Sequence, residues 1–263
     1  MKAYRAIVSA RFRMLLQYRA AAAAGVATQL FWGLIRVMIF TGFYHAARGE
    51  QPMSLPQVVS YIWLGQALLG LMLWGSDTDV GAMMRTGTVA YELARPVDLY
   101  CLWLARALAT RLAVTLPRCV PILVFSELFF GLGLPPDGLA AIAFLAAVTV
   151  GFLLAASISV LATITLIWTV AGEGVGGVLW TLSALCSGLI VPLPLLPDWA
   201  QGTLSLLPFR GLLDTPSRIW TGQLPPAEAA AVIAQQLVWV GVLVLIGRAL
   251  VARATKRLVV QGG

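Results

Sequence analysis

Long apolar stretches alternate with short polar intervals along this chain. Runs with few or no charges occupy 20–44, 57–74, 112–134, 139–170, 174–192 and 229–250. Each is close to or above the roughly 20 residues that a helix needs to cross hydrocarbon, so the pattern predicts six membrane spans. An even number of spans returns both termini to one side. The fourth run, at 32 residues, exceeds one membrane thickness. It either projects beyond the bilayer or takes in part of the following turn.

The polar intervals predict three further elements. Residues 1–19 are too charged to span but suit a helix lying in the interface. At about 100° per residue, Tyr4, Ile7, Val8, Leu15 and Tyr18 share one face, and Lys2, Ser9, Arg13 and Gln17 the other. Arg11 and Arg19 fall on the apolar side and spoil the pattern. Residues 75–98 form a polar segment between the second and third spans, carrying Asp77, Asp79, Arg85, Glu92, Arg95 and Asp98. Within it a short helix is predicted, with Ser76 or Asp77 as N-cap, Asp79 in the positive first turn and Gly87 as its end. Residues 193–223, between the fifth and sixth spans, mix prolines with Trp199, Phe209 and Trp220. Proline breaks helices and tryptophan favours the water–lipid boundary, so two short re-entrant helices are expected there, covered by other protein.

Composition supports the membrane class. Of 263 residues, 60% are hydrophobic and 11% charged, and the mean hydropathy is +0.88. A soluble domain carries about a quarter charged residues. The net charge of +7 does not indicate nucleic acid, because the basic residues flank apolar runs and form no single stripe. Thirteen Lys and Arg fall in 1–19, 77–111 and the tail, against three on the other side, Arg48, Arg210 and Arg218. That asymmetry predicts cytoplasmic termini.

Little in the chain suggests chemistry of its own. Cys101, Cys119 and Cys186 form no CxxC pair, and His45 is the single histidine. No HExxH, GxSxG or Ser/His set is present, so neither a metal site nor a catalytic site is expected. A P-loop, GxxxxGK[ST], is also missing. The charges inside the apolar runs, Arg36, Arg118, Glu127 and Glu173, are candidate functional positions because ions in hydrocarbon are costly. Arg36 and Glu127 are expected at similar depth on spans running the same way, as an interhelical ion pair. Arg118 is expected either to snorkel or to reach Glu173. These charges either glue the bundle or line a substrate path.

Three stretches carry a resemblance: GTVAYELARPVD at 87–98, SGLIVPLPLLPDWAQGTLSLLPF at 187–209, and TPSRIWTG at 215–222. With them the whole chain resembles the membrane subunit of a bacterial ABC-2-type exporter, in its small six-span subgroup. The resemblance implies a single all-α domain over 1–263 in the bacterial inner membrane, paired with a second copy or a paralogue. It implies two separate ABC ATPase subunits that hold ATP and Mg, leaving this chain no cofactor and no enzymatic activity. It makes 75–98 a cytoplasmic coupling segment, with Asp77, Asp79, Arg85, Gly87, Glu92 and Arg95 as the residues that meet the ATPase. A plain solvated connection is the alternative for that segment. The function implied is outward, ATP-driven movement of a substrate, with amphipathic or lipid-linked molecules suggested by the apolar spans. An ion-coupled secondary transporter acting without an ATPase is the rival reading, with Glu127 or Glu173 as its titrating acid.

Overall fold

A computed structural model describes residues 2–73, 75–169 and 173–255. Within those residues the secondary structure is helical throughout. The order is α1 (Lys2–Leu16), α2 (Arg19–Ala46), α3 (Leu55–Ala67), α4 (Thr78–Thr86), α5 (Ala90–Leu93), α6 (Leu99–Phe130), α7 (Gly138–Thr169), α8 (Glu173–Cys186), α9 (Asp198–Leu206), α10 (Asp214–Trp220) and α11 (Pro226–Thr255). Trp74, Val170, Gly172, Lys256 and Arg257, which bear on expected span ends and the basic tail, lie outside the described residues.

Among the described residues, four helices are long and apolar enough to cross a membrane: α2, α6, α7 and α11. The other two apolar runs fold differently from the expectation of one continuous span each. The second forms α3, started by a capping box in which Ser54 and Gln57 satisfy each other's backbone N–H groups. It breaks at Leu68 into a 3-10 turn over Leu69–Leu71. The fifth is the 14-residue α8, after which Gly188 turns the chain with φ 85°. That turn sits against Tyr61, leaving no room for a side chain on Gly188.

The third run is longer than expected at its start and shorter at its end. Asp98 caps α6 by accepting from the Cys101 N–H at 2.7 Å, so the helix starts at Leu99, thirteen residues before the apolar run that begins at Leu112. Gly131, at φ 62°, ends it. Exposed large apolar side chains on α6 run from Leu116 to Phe129, so the helix's first four turns or more precede its exposed apolar part. The fourth run is a single helix. Its apolar stretch is 44% buried against 17–22% in the other three, which makes α7 the central column of the bundle.

The core follows from this arrangement. Midway along α7, Phe152, Leu154, Ala155 and Ile158 pack with Leu71, Met72, Leu212, Leu213 and Leu243. At the base, Val160 and Ile164 pack with Val80, Val89, Tyr100, Trp103 and Val251, so the segment after α3 is part of a hydrophobic core. At the other end Trp63, fully buried, joins α2, α3 and α6. Its ring lies 5.3 Å from Phe125 and 5.2 Å from Phe130. The 193–223 region holds two short helices, α9 and α10, as the sequence pattern predicts. Buried Asp214 at the head of α10 accepts the Tyr61 hydroxyl at 2.9 Å.

The close approach of α2 to α3 needs a glycine. A Cβ on Gly33 would stand 2.6 Å from the Trp63 ring, and the phenylalanines behind that ring keep it from moving away. We expect Gly33→Ala to destabilise the protein by about 1–3 kcal/mol, as other overpacked cores do. Thermal melting of the purified variant in detergent checks this, and an unchanged midpoint contradicts the packing described.

Candidate functional site

The polar segment after α3 begins where the chain leaves the bundle. Its first step is a close backbone crossing: Gly75, at φ 109°, passes Gly176 of α8 so closely that a Cβ on Gly176 would lie 3.3 Å from the Gly75 Cα. Asp77 then caps α4, accepting from the Asp79 N–H at 2.9 Å and the Val80 N–H at 3.3 Å. The Asp77 N–H donates to Thr163 Oγ1 on α7 at 3.0 Å. Val80, fully buried, inserts into the base core. Gly87 ends α4 in the left-handed region at φ 74°, a conformation that costs other residues a clash at Cβ. The short α5 follows, and Asp98 starts α6.

Arg11 explains its own misplacement on the apolar face of α1. That helix packs along α6, and the Arg11 guanidinium reaches across to three groups. It pairs with Asp79, pairs with Asp77 at 3.5 Å, and donates from Nε to Thr110 Oγ1 at 3.2 Å. Tyr4, two turns earlier on the same face, accepts from the Asp98 N–H at 3.1 Å. The helix expected to lie on the membrane surface therefore clamps the polar segment at both of its ends.

Glu92 corrects another expectation. Expected to face a partner, its side chain is 3% exposed. It accepts from Trp103 Nε1 at 2.9 Å and pairs with Arg106. These bonds hold α5 to α6, because an unpaired buried carboxylate is costly. Asp98 pairs with Arg248 of α11 at 3.7 Å. Burial opposes its charge, but the Cys101 N–H and Arg248 outweigh it and hold the carboxyl below its usual range. Its stabilisation is thus present above that range and fades as the pH falls through the lowered value.

With Glu92 buried and Asp77, Asp79 and Asp98 held in ion pairs, the exposed tip of the segment is basic and aromatic. Arg85, Gly87, Tyr91 and Arg95 all face solvent, and Tyr91 is 74% exposed. Of the six residues expected to meet a partner, Arg85, Gly87 and Arg95 are on this surface. Asp77 and Asp79 are engaged by Arg11, and Glu92 lies inside.

The charges in the apolar helices are arranged differently from the expectation. Arg36 and Glu127 do not pair. Arg36 donates to the Ile190 carbonyl at 3.2 Å, beyond the end of α8. Glu127 lies exposed in the last turn of α6 and accepts from the Gly133 N–H at 2.9 Å. The reason is the earlier end of α6, which puts Glu127 at the helix terminus instead of at mid-depth. Arg118 packs against Gly25 of α2. The Glu173 side chain lies outside the described residues. Sequence reading missed Arg111, counted as a cytoplasmic flank; it is buried and donates to the Gly70 and Met72 carbonyls and to Ser159.

A lateral cavity of about 690 Å³ opens between α2, α3 and α8. Its walls are mostly apolar, including Trp32, Phe40 and Trp180, with Arg36, Gln29 and Gln66 as polar points. Gln29 and Gln66 are both 3% exposed.

Residues 30–262 match the model of a family described as ABC-2 family transporter protein. Comparison with curated proteins and with solved structures gives no match.

The Glu92 bonds predict a large effect from a small change. Glu92→Ala should cost roughly 2 kcal/mol or more, since it leaves Arg106 and the Trp103 N–H without their acceptor. Chemical or thermal denaturation in detergent measures it; a loss within the error of a surface substitution contradicts the assigned bonds.

Proposed function

The chain belongs to the ABC-2 transporter family, and from that premise we propose that it is the permease subunit of an ATP-driven exporter. It crosses the inner membrane six times, with α3 and its 3-10 turn as the second crossing and α8 as the fifth. Both termini and the segment 77–98 face the cytoplasm. Two separate ATPase subunits hold ATP and Mg and dock on the tips of two such segments, one from this chain and one from a second permease copy or a paralogue. The observation that carries this reading is the build of 77–98. It is a rigid projection clamped by Arg11, Glu92 and Asp98, while Arg85, Tyr91 and Arg95 stay free for a partner. A solvated linker needs no such bracing.

A push on the tip has a direct mechanical route. Asp77 is hydrogen-bonded to α7, Glu92 to α6 and Asp98 to α1, and Asp98 is ion-paired to α11, so displacement of the projection moves four helices together. The Gly75–Gly176 crossing passes the same movement to α8. Helices α2, α3 and α8 border the lateral cavity, which fits a path for an amphipathic substrate shared with a second permease. Trp32, Phe40 and Trp180 offer apolar contact, and Arg36 a charge for an acidic group.

Tagged chain expressed with its cognate ATPase provides the test. A variant carrying Arg85→Glu, Tyr91→Ala and Arg95→Glu should fold, since all three side chains are exposed. Loss of one interface hot spot of about 2 kcal/mol weakens binding roughly thirtyfold, so ATPase recovery should fall by at least that factor. Undiminished recovery removes the docking assignment.

A further inference from the structure

A second cavity, of about 480 Å³, lies between α1, α6, α7 and the start of the polar segment. Its polar lining includes Arg11, Asp77, Thr110, Arg111, Arg118 and Thr163. Three guanidinium groups thus face one space with one carboxylate among the described residues lining it. Arg11 is neutralised by Asp77 and Asp79. Arg111 donates only to uncharged oxygens, those of Gly70, Met72 and Ser159. Arg118 rests on Gly25, and among the described ion pairs no acid belongs to it. The lining arginines outnumber its one carboxylate by two, and Asp79, also held by Arg11, brings the net excess to about one positive charge, carried by Arg111 and Arg118.

Helix geometry makes these two arginines act together. Seven residues separate them, which is close to two turns, so both project from one side of α6 about 10 Å apart along its axis. Their depth is also defined. Thr110 and Arg111 lie level with the water-facing start of α4, through Arg11 and Asp77. Leu116 begins the exposed apolar belt of α6, and Arg118 lies just inside it. A cationic cavity at that boundary spans the level of lipid headgroups, beside the amphipathic α1. Fixed, partly desolvated cations of this kind gain strongly from an anion that offers several acceptor oxygens.

From this geometry we infer that the cavity binds a phosphate group, held by Arg118 and Arg111 with the Thr110 hydroxyl beside them. The phosphate comes either from the headgroup of an anionic lipid in the adjoining leaflet or from free phosphate in the water. A bound phosphate sits against Arg11 and Asp77, so its occupancy strengthens or loosens the clamp on α4. The inference does not depend on an ATPase partner or on a transported substrate.

The full chain in nanodiscs tests it, with phosphatidylcholine alone, phosphatidylcholine plus phosphatidylglycerol, and phosphatidylcholine plus inorganic phosphate in the buffer. The readouts are the melting midpoint and the phosphatidylglycerol retained on the protein by native mass spectrometry. For the wild type, a midpoint raised by phosphatidylglycerol assigns the lipid as source; one raised by inorganic phosphate alone assigns the free anion. In Arg118→Gln the response should weaken about tenfold in ligand concentration, the worth of one charge-assisted hydrogen bond. Arg118→Lys should keep part of it, and Arg95→Gln, on the exposed tip, all of it. A wild-type midpoint indifferent to both additions overturns the inference, whatever the variants do. So does a response that Arg118→Gln leaves at wild-type strength.

Discussion

A backbone that stops being helical inside a membrane protein must find partners for its carbonyls, because hydrocarbon offers none. In this chain that demand arises where the second apolar run breaks at Leu68, and Arg111 meets it. One guanidinium takes the Gly70 and Met72 carbonyls and ties them to Ser159 on the central helix. The break lets the chain turn out of the bundle within a few residues. Everything after it, from the Gly75 crossing to the cap at Asp77, is positioned by that anchor.

The projection that follows is braced as a small domain would be, with an apolar insert and a ring of polar ties. Val80 and Val89 are buried in the base core, and Arg11, Trp103, Arg106 and Arg248 hold its acids. The proposed coupling role rests on this division of charge. The ion-paired carboxylates give stiffness, and the exposed arginines and tyrosine of the tip give a surface that favours an acidic partner. The same ties join the projection to α1, α6, α7 and α11, and the Gly75 crossing sets it against α8.

Much of this was legible in the sequence. The α4 cap, the Gly87 terminus and the two short helices of 193–223 follow from local rules for caps and for proline, which need only neighbouring residues. Membership of the ABC-2 family was readable from the motifs of 87–98, 187–209 and 215–222. Contacts between distant segments were not. Arg11 marked itself by spoiling the apolar face of α1, but its partners lie 66 and 68 residues away. Glu92 looked like any surface acid until α6 was seen to start at Leu99, which brings Trp103 and Arg106 beside it. The same early start of α6 turned Arg111 from a flank into an anchor, and its early stop at Phe130 moved Glu127 to a helix end. The two misjudged boundaries of one helix thus account for three of the misplaced charges.

The side of the membrane on which the projection stands decides most directly between this reading and its rivals. Replacing Cys101, Cys119 and Cys186 with serine gives a background for single cysteines at Thr88 and at Glu50, both exposed and at opposite ends of the bundle. A membrane-impermeant maleimide should label Thr88→Cys in inverted vesicles and leave it untouched in intact cells, with Glu50→Cys behaving the other way round. Labelling of Thr88→Cys from outside intact cells contradicts a cytoplasmic projection driven by an ATPase.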